Sequence, residues 1–168
     1  PISYAGIISM IIAVGTIISS LQSDRLTKKL GPGKVTAISV AMTATALFGF
    51  SISKSFMALC IWAIPYGLGA GSVDASLNNY VALNYESRHM SWLHCMWGVG
   101  ATLGPYIMGY VLTKDMSWSS GYHIIGILQI ALTLVLILSL PLWKKRNIID
   151  SGEDINEKVL SIKEIIKI

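Results

Sequence analysis

Asp74 is the residue of this sequence whose type and position most strongly suggest chemistry. It is the only acid well inside an apolar segment, and it lies nine residues before Leu83, where that segment ends. Nine residues of helix span about 14 Å, and half of a ~30 Å hydrocarbon layer is about 15 Å. Because a charged carboxylate at the middle of a membrane costs several kcal/mol, we expect Asp74 to face a cavity, to pair with a cation or to carry a proton.

Asn78 lies one helical turn beyond Asp74, on the same face of a helix. Together the two residues make a polar stripe on an otherwise apolar helix. The stripe predicts one wall of a solute-binding cavity, with Asp74 as a proton-coupling group. The alternative is a structural carboxylate that hydrogen bonds between helices.

Trp97 and Gln129 are two further candidates for the wall of that cavity. Trp97 has a ring face on which a sugar could stack, although such aromatic rings more often pack or anchor at the membrane interface. Gln129 lies near the middle of the last apolar segment, so it could equally face the cavity or bond a neighbouring helix. His94 lies only about 6 Å into its own segment, roughly 8 Å shallower than Asp74, and this depth favours a packing or gating role.

Motifs for enzyme chemistry do not occur in this sequence. It contains no glycine-rich phosphate loop, no His and Cys cluster with metal-ligand spacing, and no Ser/His/Asp set that could assemble. The two cysteines, Cys60 and Cys95, both lie within apolar segments and are expected to be packing residues. The sequence therefore predicts neither an enzyme nor a metal or cofactor site.

The elements that must position these residues are membrane-spanning helices. Of the 168 residues, 53% are hydrophobic and 13% are charged, whereas a soluble domain is about 25% charged. Long segments without Asp, Glu, Lys or Arg are candidates for spanning a bilayer, and they exclude a soluble domain, a disordered chain and a disulfide framework. The predicted spans, which make up a helix bundle over residues 1–146, are about 2–21, 35–53, 55–83, 90–112 and 118–143.

The basic residues predict the orientation of these spans. Four Lys or Arg residues lie in the connector 22–34, one lies in the connector 84–89, and three follow directly after position 143. The other two connectors carry one each, Lys54 and Lys114. Because positive residues favour the cytoplasmic side, we expect the first group to be cytoplasmic in a multi-pass protein of the plasma membrane. This clustering favours a lipid bilayer over nucleic acid as the partner. It also places Pro1 outside, so we expect a further span to precede it.

The tail, residues 147–168, has a soluble character. Asp154 and Glu157 have the spacing of a helix-capping box, and apolar residues then recur at helical spacing up to Ile166. We expect a short amphipathic helix on the inner membrane face. The alternative is a frayed linker.

Small residues are concentrated in the third and fourth predicted spans. Helices in lipid associate mainly through close backbone approach at such residues, so these two spans are predicted to pack tightly in a bundle. A proline in the fourth span is expected to bend it, which suits a bundle that rocks or opens, although a static wall or scaffold helix is the alternative. The residues concerned are Gly71, Gly98, Gly100, Gly104 and Pro105.

Three segments resemble transporters of the major facilitator superfamily. Asp24 and Arg25, followed by Lys28 and Lys29, match part of the loop between the second and third helices of that family. The segment 94–105 is similar to the family's fifth helix, notably in fucose-permease-like members. The segment 69–80 is similar to the fourth helix, in which an acid at the position of Asp74, usually Glu, takes part in proton coupling.

This resemblance implies an all-α fold in which residues 1–168 supply helices two to six and part of the central loop of a partial N-terminal half. The first helix and the second half would be partners outside this chain. The implied function is proton-coupled symport of a small polar solute, with a sugar as the candidate, by alternating access in a permease. Asp24, Arg25, Lys28 and Lys29 would then form a cytoplasmic conformational latch.

Two other functions are kept as alternatives. One is a truncated, non-transporting membrane protein or a half-transporter scaffold. The other is a drug or metabolite efflux antiporter, since Gly104 and Pro105 resemble an antiporter signature, although Met108 stands where that signature has Gly.

Overall fold

Five helices make up the described part of the chain. The computed structural model describes the backbone of residues 2–150 and the side chains of residues 4–143, and every element in that part is an α-helix. The all-α prediction is thereby confirmed, and each predicted span falls on one helix, overrunning its ends by no more than one residue. The helices are α1 Ile2–Leu30, α2 Pro32–Ile52, α3 Phe56–Asn84, α4 Ser87–Thr113 and α5 Trp118–Asp150.

The first helix is longer than its apolar segment. The connector predicted over 22–34 is helical apart from Gly31, because helix formation does not require apolar side chains and an Asp24–Lys28 ion pair supports this extension at i,i+4 spacing. Gly31 ends α1 with a positive φ of 83°, a conformation that glycine adopts freely. Pro32 then starts α2 at a position where its missing N–H costs nothing.

Four of the five helices are long and apolar enough to cross a membrane by length and composition. These are the segments Tyr4–Leu30, Pro32–Ile52, Phe56–Asn84 and Trp118–Trp143. The remaining helix, α4, has an uncharged stretch over 90–113, but its glycines, its hydroxyl groups and its Trp and Tyr rings lower its mean hydropathy.

The described bundle is built around α3. This helix packs against α1 on one side and α2 on the other, and α2 also packs against α5. Leu47, Phe50 and Ala63 form the buried core between α2 and α3. The fourth helix lies at the periphery, where it contacts α5 and α3 only slightly and buries a single residue, Val111.

The tail predicted to form an amphipathic helix lies outside the described residues from position 151 onward. Its first residues, up to Asp150, continue α5.

Candidate functional site

Glycines on α3 bring two neighbouring helices into backbone contact. A Cβ built on Gly71 would overlap the carbonyl oxygen of Thr16, and one built on Gly67 would overlap that of Ile12. On the other side of α3, a Cβ on Gly69 would lie 2.6 Å from Ser39 O. Gly67 and Gly71 stand four residues apart, the small-xxx-small spacing that allows membrane helices to approach closely.

Hydroxyl groups of α1 hold this contact along the C-terminal half of the helix. Because the acceptors on α3 include backbone carbonyls that the close approach brings within reach, the hydroxyls and the glycines form one seam. These bonds were not predicted from the sequence, although hydroxyl residues spaced by three and four along α1 are a signal for them. The donors and acceptors are Ser20 Oγ to Gly71 O at 3.2 Å, Ser23 Oγ to Ser72 O at 3.3 Å and Thr27 Oγ1 to Ser76 Oγ at 3.2 Å.

Asp74 and Asn78 lie on α3 beside this seam. Asp74 is exposed, and Asn78 Nδ2 donates a hydrogen bond of 3.2 Å to its Oδ1. Asn78 Oδ1 is buried and has no hydrogen-bond partner among the described residues. Asp74 lies ten residues before the end of α3, about 15 Å along the helix axis. The pair therefore presents a carboxylate and an unsatisfied amide oxygen, two acceptors suited to a proton or a hydroxyl donor.

Trp97 and His94 lie on the peripheral helix α4. Trp97 is 71% exposed and His94 is also exposed. No described contact joins either side chain to Asp74 or Asn78. The structure therefore gathers Asp74 and Asn78 and leaves Trp97 apart from them.

Gln129 lies between α5 and α2. Its Nε2 donates a hydrogen bond of 2.9 Å to Thr43 Oγ1, and Thr43 Oγ1 donates in turn to Val40 O at 2.9 Å. Of the two alternatives drawn from the sequence, this geometry corresponds to the bond with a neighbouring helix.

Breaking this interhelical bond is expected to destabilise the bundle modestly. Gln129→Leu and Thr43→Val should each lower the free energy of unfolding, and a double-mutant cycle should give a coupling of about 0.6 kcal/mol, the average for hydrogen bonds between membrane helices. Thr45→Val is the matched control, because Thr45 is on the same helix but bonds only Ala41 O of that helix. A coupling of similar size between Gln129 and Thr45 would contradict the assignment.

The four residues of the predicted latch are exposed on α1 and take no part in the described hydrogen bonds of the seam. Asp24 and Lys28 form an ion pair of 2.8 Å, with side chains 63% and 71% exposed, and Arg25 and Lys29 are exposed as well. Such an exposed pair contributes little to stability. The group is therefore open to another partner while Ser23 and Thr27 anchor the same helix to α3.

The tight packing predicted for the third and fourth spans is found among the described residues for α3 but not for α4. A Cβ built on Gly98, Gly100 or Gly104 of α4 would meet nothing within 4 Å. The reason is that α1 and α2 already occupy the glycine faces of α3. Pro105 lies inside α4 as its sequence position indicates.

The family of the chain follows from comparison with known proteins. The model of the Major Facilitator Superfamily matches residues 1–167. The chain belongs to this superfamily. Its apolar helices accordingly make it an integral, multi-pass membrane protein, with the resemblance of the three segments to this family confirmed.

Two curated relatives of this superfamily chain are transporters by name. An uncharacterized transporter, y4wD, of Sinorhizobium fredii is 27% identical over 111 residues, which is 64% of this chain and 29% of the relative. The glucose/mannose transporter GlcP of Bacillus subtilis is 25% identical over 113 residues, 66% of this chain and 28% of the relative. The matches thus span less than a third of the length of each relative.

Proposed function

We propose that this chain is part of a secondary active transporter that moves a small polar solute across the plasma membrane by alternating access. The observation that carries the proposal is the position of Asp74, an exposed carboxylate about 15 Å before the end of an apolar helix of a Major Facilitator Superfamily chain. An acid at this depth is costly, and its exposure on the helix surface suits contact with a water-filled cavity.

We further propose that Asp74 couples transport to protons and that Asn78 helps bind the solute. Asn78 already donates to Asp74, and its Oδ1, buried here without a described partner, would accept a hydroxyl proton of the solute in a conformation that opens the site. A sugar is the solute class we favour, because sugars supply many hydroxyl donors and one relative is named a glucose/mannose transporter. Trp97, with its exposed indole ring, would serve as a stacking face in a conformation that brings α4 closer.

Uptake by the full-length protein in proteoliposomes tests this proposal. With an alkaline interior, we expect labelled glucose or a related sugar to accumulate above its external concentration, and a protonophore should abolish this accumulation. Binding of sugars without any uptake would favour the non-transporting scaffold instead. Uptake that is insensitive to the protonophore would reject the proton coupling but not the transport.

We propose that the exposed Asp24 group acts as a latch at the cytoplasmic end of α1. Its ion pair with Lys28 is too exposed to serve stability, which leaves the charges free to bind another segment in one of the two transport states. A latch of this kind biases the equilibrium between states without touching the solute.

Removing the charge of Asp24 is therefore expected to slow turnover. Asp24→Asn should lower the transport rate by about fivefold or more, the lower limit of typical coupling between sites, while equilibrium binding of the solute changes little. Glu86→Gln is the matched control, because it breaks an equally exposed pair, Glu86 with Arg88 at 3.0 Å. A loss of binding in Asp24→Asn, or an equal loss of rate in Glu86→Gln, would contradict the latch.

A further inference from the structure

A cleft of about 480 Å³ opens at the end of the bundle where α1 turns into α2 and α5 passes beside them. This volume is within the range of about 300–1,000 Å³ typical of small-molecule sites. Its walls include Leu30 from α1, Lys34 from α2, and Ile137, Leu140 and Trp143 from α5. Neither Asp74 nor Asn78 lines the cleft, and the cleft plays no part in the function proposed above.

The chemistry of the cleft changes from one end to the other. Lys34 is exposed and is the one charged group among the described lining residues. The α5 wall is apolar, and its Ile137 is 48% exposed. An occupant must therefore join an anionic group to a hydrocarbon chain, a combination that a free phosphate or a sugar lacks.

The cleft lies at the level where a headgroup would lie. Lys34 is the third residue of α2, and Trp143 lies at the end of an apolar segment. Lys and Trp side chains at the ends of membrane spans lie at the membrane–water interface. Further basic residues are close to its lining in sequence: Lys28 and Lys29 lie in the last turn of α1, and three basic residues, 144–146, follow Trp143.

Trp143 makes the wall of the cleft rigid. A Cβ on Gly33 would lie 2.7 Å from the ring of Trp143, so glycine is needed for the ring to sit against α2. The ring also packs against Tyr80 with centroids 4.9 Å apart, and its Nε1 donates to Ser139 Oγ at 3.3 Å. A ring held against two other helices and bonded within its own helix keeps its place without an occupant, which lowers the cost of binding.

We propose that this cleft binds an anionic phospholipid, with its phosphate on Lys34 and the start of an acyl chain along Ile137 and Leu140. Basic pockets between membrane helices on the cytoplasmic side are suited to acidic lipid headgroups. The occupant would come from the adjacent leaflet and would bridge the turn at Gly31 to the end of α5.

The test is the thermal unfolding of the full-length protein in mild detergent, titrated with phosphatidylglycerol, with phosphatidylcholine of the same chains, or with glycerol 3-phosphate. We expect phosphatidylglycerol to raise the unfolding midpoint at lower concentration than phosphatidylcholine, and glycerol 3-phosphate to have no effect. Lys34→Gln should raise the half-saturating concentration of phosphatidylglycerol about fivefold, the effect of one basic residue near an anionic surface, and Lys34→Arg should leave it unchanged.

Two further variants separate the cleft from general surface charge. Lys54→Gln removes the exposed Lys just beyond the other end of α2 and should leave the titration unchanged. Ile137→Trp should weaken lipid binding by filling the aliphatic wall while keeping every charge. An equal effect of Lys54→Gln and Lys34→Gln, an equal response to both lipids, or a response to glycerol 3-phosphate that matches phosphatidylglycerol would overturn the proposal.

Discussion

Gly71→Ala is expected to destabilise the bundle by about 2 kcal/mol, within the range of overpacking in a dense core. The added Cβ would overlap the carbonyl oxygen of Thr16 and the hydroxyl of Ser19. A backbone carbonyl cannot rotate away as a flexible side chain can, so α1 would have to move off α3 and stretch the hydrogen bonds that join them. Adding Gly67→Ala, one turn away on the same contact, should prevent the two helices from docking. The measurement is the free energy of unfolding of the protein in detergent.

Gly126→Ala is the matched control for this prediction. A Cβ at Gly126 of α5 would lie 3.6 Å from Phe48 N, which is an ordinary van der Waals distance. The same added methyl group should therefore be neutral or should stabilise by up to about 1 kcal/mol, because alanine favours helix more than glycine does. Equal destabilisation at both positions would show that α1 and α3 do not approach each other as closely as described.

Asp74→Asn is expected to abolish proton-driven accumulation while leaving the helix intact. For one coupled proton, each pH unit of gradient supports about a tenfold accumulation, and this ratio should fall to about one in the variant. Asn keeps an Oδ1 that can accept the 3.2 Å hydrogen bond from Asn78 Nδ2, so the substitution removes the titrating group and little else. Exchange of labelled for unlabelled solute across the membrane should continue.

Two controls make this result specific to the carboxyl group. Asp74→Glu should restore accumulation, since it keeps a titrating carboxyl on the same face of α3. Asn79→Ala should have little effect, because Asn79 is exposed on a different face of the same helix. If Asp74→Asn accumulates solute as the unmodified protein does, Asp74 has no part in proton coupling and its role is structural.

The helices and their approximate limits were predictable because hydropathy and charge are local properties of a segment. The span 118–143 contains no charged residue and lies within α5. The limit of this reasoning is visible at residues 22–30, where the apolar pattern stops but the helix continues. Hydropathy indicates whether a residue is more stable in water or in lipid. It does not indicate whether a polar segment is helical.

Asp74 and Asn78 were also predictable as a pair, because residues four apart on one helix are neighbours whatever surrounds them. Their hydrogen bond is a local consequence of the sequence. The partner of Gln129 was not predictable, because Thr43 lies 86 residues away in sequence. The side-chain amide could form its hydrogen bonds in a cavity or with a neighbouring helix.

The sequence by itself determined that this chain is a set of membrane helices and which ends of these helices carry the basic residues. It also determined where along α3 Asp74 lies. Each of these depends on one segment and on the free energy of moving its residues between water and lipid. Only the tertiary structure decided which small residues are contacts: Gly71 docks on Thr16 of α1, while Gly100 on α4 meets no described atom within 4 Å. Both are glycines in apolar helices. They differ in whether another helix packs against them, and this depends on how all the helices of the bundle are arranged.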